Sequence, residues 1–439
     1  MKVNISLQGY QPRSWQEKWM KISLEFLGCK LNQAEVFDIG QRMALDGYTV
    51  VPAGSHADIY IINTCTVTAT ADRKARQMVR SAKRRNPQAR VIVTGCYAER
   101  APVEIALLVP DITVVPNSQK DDIPRIISDG GALPDRKAAP SGIVPVVGRT
   151  RGLVKIQEGC HYRCAYCIVP LVRPEPCSVP ADEVVARVCE TEKEGTREVV
   201  LTGTEIGTYR DKDLTLEGLL RQLLPRTGIE RLRISSLQPE EISRGLLNLW
   251  QDPRLCRHFH LSLQSGSANV LREMGRRYTP EQYVAAVALI RERLHGVAVT
   301  TDVICGFPGE TAADFRESLE FCRRMGFARM HVFPYSARPG TAAAARKGQV
   351  AAQVKNQRVA EMLVAAREAG QEFCREQKGG DVAVLWEQQN SDVWSGYAGN
   401  YTKVYAEGGD LRNGVISKVH LTDLYRDGLW GEVSLNPED

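Results

Sequence analysis

Short apolar runs alternate with amphipathic segments through the first third of the chain. Residues 22–27, 59–62 and 91–93 have the length and composition of buried strands, and residues 32–45 and 71–85 between them have helical spacing. This alternation is typical of a parallel sheet with crossover helices. We therefore predict an N-terminal parallel α/β domain.

The same alternation resumes near residue 152 with a new count. Six further strand-like runs are separated by helical segments, two of which are residues 181–195 and 280–294. The runs are residues 153–156, 198–201, 231–235, 258–263, 298–304 and 330–333. Six βα units predict a partial (βα)6 barrel that is open on one side. As in complete barrels, a functional site should lie where loops leave the carboxyl ends of the strands.

The pattern changes again after a long helical segment at residues 360–378. Short β-like runs follow at residues 382–386, 394–397, 402–406 and 415–421. They predict a small antiparallel β-barrel, which could bind RNA or serve as a structural cap. The predicted fold class is thus α/β, with a β-barrel at the C-terminus. The expected divisions are an N-terminal extension (1–20), the first α/β domain (21–135), a linker (136–145), the partial barrel (146–376) and the small barrel (377–439).

Composition is that of an ordinary globular protein, with 43% hydrophobic and 25% charged residues. The first residues lack the apolar core of a signal peptide, and the chain has no apolar run long enough to span a membrane. We expect a cytoplasmic protein without a membrane partner. Twelve cysteines in such a chain favour metal or redox use over disulfides. Six of them lack ligand spacing and are interpreted as small apolar residues: Cys177, Cys189, Cys256, Cys305, Cys322 and Cys374.

Cys160, Cys164 and Cys167 form a CxxxCxxC sequence. Three thiolates would hold three corners of a four-iron cluster and leave one iron free to bind another molecule. Radical S-adenosylmethionine enzymes use that iron to bind their cofactor. A zinc knuckle is the alternative, but zinc sites usually have a second ligand pair, and none follows here. We therefore predict radical chemistry that belongs to the cofactor, and we assign no catalytic side chain.

Cys29, Cys65 and Cys96 each follow a predicted strand of the first domain by one or two small or polar residues. The carboxyl ends of parallel strands lie at one edge of a sheet, so the three thiols should meet there. Their repeated position favours a second three-thiolate cluster over simple packing.

The net charge of +5 says little, but residues 73–90 contain eight cations and no acid. Such a run is either a solvated helix face or a surface that contacts phosphates. Lys83, Arg84 and Arg85 are the candidate RNA contacts.

Eight short phrases, spread over nearly the whole chain, resemble the methylthiotransferase family. They lie at residues 27–35, 63–68, 71–74, 94–98, 233–236, 263–267, 302–311 and 331–336. The resemblance implies a methylthiotransferase N-terminal domain, a radical S-adenosylmethionine core and a C-terminal TRAM domain that grips tRNA. It also implies that Cys29, Cys65 and Cys96 hold an auxiliary 4Fe-4S cluster, in addition to the radical 4Fe-4S cluster.

The resemblance further implies the reaction and its site. S-adenosylmethionine would be both methyl donor and radical source, surrounded by Tyr166, Gly203, Gln264 and Gly306. A methylthio group would be transferred to carbon 2 of adenosine 37 in the tRNA anticodon loop. Radical chemistry is required because this aromatic carbon-hydrogen bond offers no acidic proton to a base. The electron donor and the sulfur source are not identified by the resemblance.

Two sequence details bear on the substrate. Residues 32–35 read NQAE where two branches of the family carry Asp-Ser-Glu, which favours the branch that acts on threonylcarbamoyladenosine in tRNA. The alternatives are isopentenyladenosine tRNA, a protein side chain, or a non-catalytic iron-sulfur protein that binds RNA. The loop at residues 170–179 keeps Arg173 of the family pattern but has Pro174 and Val179 in place of a glycine and an arginine. That loop is expected to border the substrate.

Overall fold

The structure is a computed structural model, and it describes residues 20–129, 150–408 and 411–434. The predicted linker and nearly all of the predicted N-terminal extension lie outside these residues. The described chain forms a parallel α/β domain, a partial βα barrel and a closed β-barrel, so the predicted fold class is confirmed.

The N-terminal domain is a five-stranded parallel sheet. Its strands, in spatial order, are Thr49–Val51, Lys21–Phe26, Ile59–Thr64, Arg90–Gly95 and Ile112–Val114. The two edge strands were not predicted, because three residues are too few to show a period of two.

Helices cover both faces of this sheet. They are Lys30–Leu45, Ala69–Arg85, Cys96–Arg100, Pro102–Ala106 and Ile123–Asp129, with a 3-10 turn at Asn117–Asp122. Ile59 and Ile61 pack on the face of the first helix, whereas Tyr60 and Ile62 pack on the face of the second. Alternate residues of one strand thus supply two cores, which explains the continuous apolar run in the sequence.

The central domain is an arc of parallel strands in two sheets. Arg151–Lys155, Glu198–Thr202 and Arg231–Ile234 form the first sheet, and Ser236–Leu237, His258–Leu261, Ala298–Cys305 and Arg329–Pro334 form the second. The strand predicted at residues 231–235 therefore ends at Ile234, and Ser235 separates it from Ser236–Leu237 of the second sheet. Within the described residues, the two outermost strands, Arg151–Lys155 and Arg329–Pro334, do not pair with each other, so the barrel is open between them.

An outer layer of helices buries the core of this domain. These helices are Ala181–Lys193, Leu216–Arg226, Arg244–Asn248, Ala268–Glu273, Pro280–Arg293 and Ala312–Arg324. The loop after the first strand contains a short hairpin, Gln157–Glu158 with Cys177–Ser178, and the helix Val169–Val172. Another short hairpin joins Arg210–Asp211 to Leu214–Thr215.

The helix Ala352–Gln377 connects the central domain to a closed five-stranded barrel. The strands are Asp381–Asn390, Val393–Ala398, Lys403–Glu407, Ile416–Tyr425 and Gly428–Val433. The last of these was not predicted, since only Arg426 and Asp427 separate it from the preceding strand. Among the described residues, no helix is both long and apolar enough to cross a membrane.

Candidate active site

Cys29, Cys65 and Cys96 each stand at the carboxyl end of a strand in the middle of the N-terminal sheet. Cys29 caps the helix Lys30–Leu45, Cys65 directly follows Ile59–Thr64, and Cys96 follows Arg90–Gly95. These three strands are immediate neighbours. The thiol-bearing loops therefore lie side by side at one edge of the sheet.

Glycines allow the three loops to approach each other closely. Gly28 has φ +119°, and a Cβ built there would lie 2.7 Å from Cys65 Cβ and 3.1 Å from Cys65 Sγ. Gly95 has φ +97°, and a Cβ there would lie 2.3 Å from the carbonyl oxygen of Thr64. A side chain at either position would push the loops apart. The glycine before Cys29 and the glycine before Cys96 thus bring both cysteines against the Cys65 loop.

Cys65 and Cys96 are buried, whereas Cys29 is exposed to a cavity described below. Burial, with smaller contributions from the neighbouring Cys96 and Cys29, raises the pKa of Cys65 to about 12. Three neighbouring thiolates repel one another unless a cation lies among them, and bound metal supplies that charge. The donor set therefore fits a metal cluster, and the three cysteines are free rather than disulfide-bonded.

Cys160, Cys164 and Cys167 lie in the loop that follows the first strand of the partial barrel. The backbone N–H of Cys167 donates to the carbonyl of Cys164 at 3.0 Å, which closes a tight turn around the last two thiols. Cys160 Sγ donates to Glu205 Oε2 at 3.0 Å, and burial together with that carboxylate raises the pKa of Cys160. Arg276 Nη1 donates to Cys164 Sγ at 3.3 Å, as it would to a thiolate ligand.

The two cysteine triads lie next to each other across the domain boundary. Cys96 packs in one buried cluster with Ile168 and Val172, which belong to the loop and helix that follow Cys167. The sequence had placed the triads in separate domains, without any indication that the domains join at this point.

Arg173 is buried between these two domains and bonds to both. Its guanidinium donates to Glu158 Oε1 at 2.6 Å, beside the CxxxCxxC loop, and to Glu35 and Asn32 on the helix that Cys29 caps. In the structure Arg173 joins the two thiol-bearing segments. Contact of the loop at residues 170–179 with the substrate stays a prediction.

Glu35 is the centre of this buried network. Lys120 Nζ donates to its carboxylate at 2.6 Å and Asn63 Nδ2 at 2.9 Å, in addition to Arg173. Burial alone would raise the pKa of Glu35, but the positive charges of Lys120 and Arg173 outweigh it and hold that pKa well below its usual range. A carboxylate with these donors is ionised at neutral pH.

Pro174 and Val179, which stand where the family pattern has a glycine and an arginine, both pack against other segments of the central domain. A Cβ on Gly159 would lie 2.5 Å from the carbonyl oxygen of Pro174, so the proline segment runs directly against the start of the cysteine loop. Val179 packs against the core of the central domain.

The residues predicted to surround S-adenosylmethionine all lie at the carboxyl end of the partial barrel. Tyr166 packs against an aromatic and aliphatic cluster, and its hydroxyl lies 3.4 Å from Arg276 Nη1. Gln264 has φ +69° and exchanges backbone hydrogen bonds with Asp302 and Ile304, each 2.8 Å long.

The two predicted glycines lie where another chain segment comes close. A Cβ at Gly203 would lie 2.6 Å from the carbonyl oxygen of Gln157, and one at Gly306 would lie 2.2 Å from Lys355 Cγ. Gly203 also lines the cavity. Contact of these four residues with a cofactor stays a prediction.

A cavity of about 1000 Å³ lies among all three domains. Its wall includes Cys29 from the first domain, the inward-facing residues His260, Asp302 and His331 from the partial barrel, and Tyr401 from the C-terminal barrel. Cys29 is thus the one cysteine of the six predicted ligands that reaches this wall in the described structure.

Asp302 is held by two histidines on the cavity wall. His331 Nδ1 lies 3.1 Å from Asp302 Oδ1, and His260 Nε2 lies 3.4 Å from Asp302 Oδ2. Burial opposes ionisation of Asp302, but hydrogen bonds from His260 and His331 keep its pKa below the ordinary range. The group offers hydrogen-bond donors and acceptors to a molecule in the cavity. A sequence signal could have identified this group of Asp302 and two histidines. Polar residues recur at alternate positions of the barrel strands, which places them on one face of the sheet.

Tyr401 joins the C-terminal barrel to the other two domains. Arg233 lies 3.6 Å from the centre of the Tyr401 ring and donates to the carbonyl oxygen of Gly399 at 2.9 Å. Arg151 and Lys30 lie 5.0 Å and 5.5 Å from the same ring. Cation-π contacts of this kind stabilise the docked position of the barrel.

The predicted RNA contacts lie at the far end of the helix Ala69–Arg85. This helix has 17 residues and is roughly 25 Å long, and it begins near Cys65, so its last turn is remote from the thiols. Lys83 Nζ donates to the carbonyl of Ala89, and Arg85 pairs with the buried Glu25. Arg84 is exposed. Their contact with RNA stays a prediction.

Two family descriptions match the chain. Residues 154–322 match the radical SAM superfamily, and residues 21–116 match the uncharacterized protein family UPF0004. These ranges contain the two cysteine triads. In fold, the chain resembles the radical S-adenosylmethionine methyltransferase TsrM from Kitasatospora setae, with a TM-score of 0.52 and 16% identity over 74% of this chain and 77% of that one.

Relatives with curated names match over almost their entire length. The threonylcarbamoyladenosine tRNA methylthiotransferase MtaB of Aquifex aeolicus is 37% identical, over 89% of this chain and 99% of the relative. The enzyme of that name from Bacillus subtilis is 34% identical, over 91% and 93%. A tRNA-2-methylthio-N(6)-dimethylallyladenosine synthase of Desulfotalea psychrophila is 30% identical, over 92% and 97%. With this identity and coverage, the chain belongs to the radical S-adenosylmethionine family of tRNA methylthiotransferases.

Proposed function

We propose that the protein transfers a methylthio group to carbon 2 of N6-threonylcarbamoyladenosine at position 37 of tRNA. The observation that carries the proposal is the cavity shared by three domains, with Cys29 on its wall beside the inward face of the partial barrel. A nucleoside in this cavity would be next to the first triad while it faces the barrel that bears the second. The relatives named for threonylcarbamoyladenosine support the choice of substrate.

The cofactors we propose are two 4Fe-4S clusters and S-adenosylmethionine. Cys29, Cys65 and Cys96 would hold one cluster, and Cys160, Cys164 and Cys167 the other. The first set follows three neighbouring strands, the second lies in one loop, and all six thiols are free. When bound, these groups supply an electron, the sulfur and methyl group to be transferred, and the capacity to remove an unactivated hydrogen atom.

The side chains of the protein position these groups and tune their charge. Arg276 donates to Cys164 Sγ, which offsets negative charge on that thiolate. Arg173 bonds to both thiol-bearing segments and so restricts their relative movement. Glu205 accepts the hydrogen bond of the Cys160 thiol, and it would need another donor once Cys160 is a cluster ligand.

The substrate must present one base to the cavity. A base in an anticodon loop is single-stranded and can be turned into a protein pocket at low cost. The opening between Arg151–Lys155 and Arg329–Pro334 provides a route for it. We propose that residues 21–135 hold the auxiliary 4Fe-4S cluster and that residues 146–376 carry out the radical chemistry. Residues 377–439 would bind tRNA. As a tRNA-modifying enzyme, the protein would act in the cytoplasm.

The deciding experiment is mass analysis of tRNA nucleosides. Reconstituted protein, S-adenosylmethionine and a reductant are incubated with tRNA that carries threonylcarbamoyladenosine, and in parallel with tRNA that carries isopentenyladenosine. We expect the methylthio product from the first tRNA alone. Product from the second alone would contradict the proposed substrate, a possibility raised by the Desulfotalea relative. Absence of both products and of 5'-deoxyadenosine would favour a non-catalytic RNA-binding protein.

A further inference from the structure

The acidic side chains on the cavity wall all have partners in the wall. They are Asp302 with two histidines, Glu387 with Arg151, and Asp427 with Lys403. Two further cations on the wall, Lys30 and Arg426, lie over tyrosine rings.

Arg329 and Arg367 differ from all of these charged residues of the cavity wall. Across residues 20–129, 150–408 and 411–434, neither makes an ion pair, a side-chain hydrogen bond or a contact with an aromatic ring. Both side chains are exposed at the cavity wall, and no acid of the described residues pairs with them.

Arg329 is on the strand that borders the opening of the barrel. Met330 beside it is buried in the core, so Arg329 and His331 extend from the opposite, cavity side of the strand. Arg329 is in register with Thr300, and His331 with Asp302. The arginine thus lies one step along the strand face from the Asp302 and histidine group.

Arg367 reaches the same wall from the connecting helix Ala352–Gln377. This helix packs closely on the strand, because a Cβ on Gly370 would lie only 3.2 Å from the carbonyl oxygen of Ala328. Arg367 is three residues before Gly370, on the same face of the helix. The close approach at Ala328 therefore brings Arg367 to the part of the wall from which Arg329 extends.

We infer that Arg329 and Arg367 together bind an oxyanion of the substrate in the cavity. A guanidinium presents a planar fork of N–H donors that matches a carboxylate or a phosphate, and two of them can hold one such group from two sides. Two sources fit this chemistry: the carboxylate of the threonylcarbamoyl group, and a backbone phosphate next to the modified nucleoside. The inference depends on the proposed function for its tRNA substrate, but it concerns binding alone.

The test measures the binding of two anticodon stem-loop RNAs to full-length reconstituted protein without S-adenosylmethionine. One RNA carries threonylcarbamoyladenosine at position 37, and the other carries unmodified adenosine. The variants are Arg329→Gln, Arg367→Gln and their combination. Arg316→Gln is the matched control, because Arg316 is an exposed helix arginine that does not line the cavity and makes no ion pair in the described structure.

We expect each cavity variant to weaken binding by about tenfold, the usual scale for loss of a hydrogen bond to a charged group. If only the modified RNA is affected, the carboxylate is the bound group. If both RNAs are affected equally, and the dependence of affinity on salt falls by about 0.7 log units per phosphate, the phosphate is the bound group. Wild-type affinity of the double variant for both RNAs would overturn the inference and leave two solvated arginines.

Product analysis of the wild-type enzyme separates this inference from the proposed function. If the wild type modifies isopentenyladenosine tRNA instead, the proposed substrate is wrong. A loss of binding in the arginine variants would then still support a phosphate site. Arg329→Lys and Arg367→Lys retain charge without the fork, so intermediate binding by these variants would support paired N–H donors rather than general attraction.

Discussion

The guanidinium of Arg173 donates to the carboxylate of Glu35, and both side chains are almost completely buried. Glu35 is three residues beyond Asn32 on the helix capped by Cys29, and Arg173 is six residues beyond Cys167. The ion pair therefore connects the two segments that carry the cysteine triads. Together with the packing of Cys96 on Ile168 and Val172, it fixes the relative position of the two proposed clusters.

Arg173→Gln should destabilise the joined N-terminal and central domains by about 3–5 kcal/mol, because it leaves the Glu35 charge buried with fewer partners. Urea unfolding at neutral pH measures this. Arg187→Gln is the matched control, since Arg187 pairs with Asp38 across the same boundary at 3.1 Å but is only half-buried. That control should cost about 1 kcal/mol or less. Equal losses in the two variants would contradict the role assigned to Arg173.

The same carboxylate predicts an acid-sensitive contribution to stability. The pKa of Glu35 is lower in the folded protein than in the unfolded chain, so its pairing stabilises the fold above the unfolded pKa, which is about 4.3. This contribution is lost as pH falls below that value toward the folded pKa. The difference in unfolding free energy between wild type and Glu35→Gln should therefore shrink in acid. A difference that stays constant down to about pH 3 would show that Glu35 is not the titrating group.

Anaerobically reconstituted protein should bind about eight irons, because each proposed 4Fe-4S cluster has its own cysteine triad. Replacing Cys160, Cys164 and Cys167 with alanine should leave about half of that iron. Cys189→Ala is the control, since its thiol donates to the carbonyl of Arg226 away from both triads. Iron analysis and absorption spectra provide the measurement. Full iron content in the triple variant, or zinc as the native metal, would exclude the two-cluster proposal.

Cys65→Ala should abolish methylthio transfer and still allow reductive cleavage of S-adenosylmethionine. Cys65 belongs to the N-terminal sheet, and the loop with Cys160, Cys164 and Cys167 keeps all its thiols in this variant. Release of 5'-deoxyadenosine and the tRNA nucleoside product are measured on the same sample. Loss of cleavage in a folded variant that retains the other cluster would contradict separate roles for the triads.

Contact of tRNA with the basic end of the helix Ala69–Arg85 is best tested at one residue, not by reversing the charge of Lys83, Arg84 and Arg85 together. Reversal of Arg85 would place two acids together, because Arg85 pairs with the buried Glu25. Arg84→Glu changes only an exposed side chain. If this surface contacts tRNA, the variant should reduce the salt dependence of binding without altering which adenosine is modified. An unchanged salt slope would remove this helix end from the binding surface.

The sequence alone was sufficient to predict three structural units of different kinds, and the fold class was correct. Strand and helix periods are local properties, and the runs that produced them, such as residues 59–62 and 298–304, form strands in the structure. The cysteine triads could also be proposed from sequence, because loop spacing and the direction of parallel strands are enough to group their thiols. The strands of three residues and the break between strands at Ser235 were missed, because segments this short show no period of two in the sequence.

The tertiary structure decided which of these parts face each other. Glu35 and Arg173 are separated by 138 residues, and Asp302, His260 and His331 come from three different strands. The helix Ala69–Arg85 begins near Cys65 and carries Lys83, Arg84 and Arg85 in its last turn, so these three residues lie far from the thiols. Such contacts depend on how whole domains pack, which requires shape and charge complementarity between distant segments. A periodic pattern within one segment contains no information about that packing, so the buried ion network and the cavity became apparent only in the folded chain.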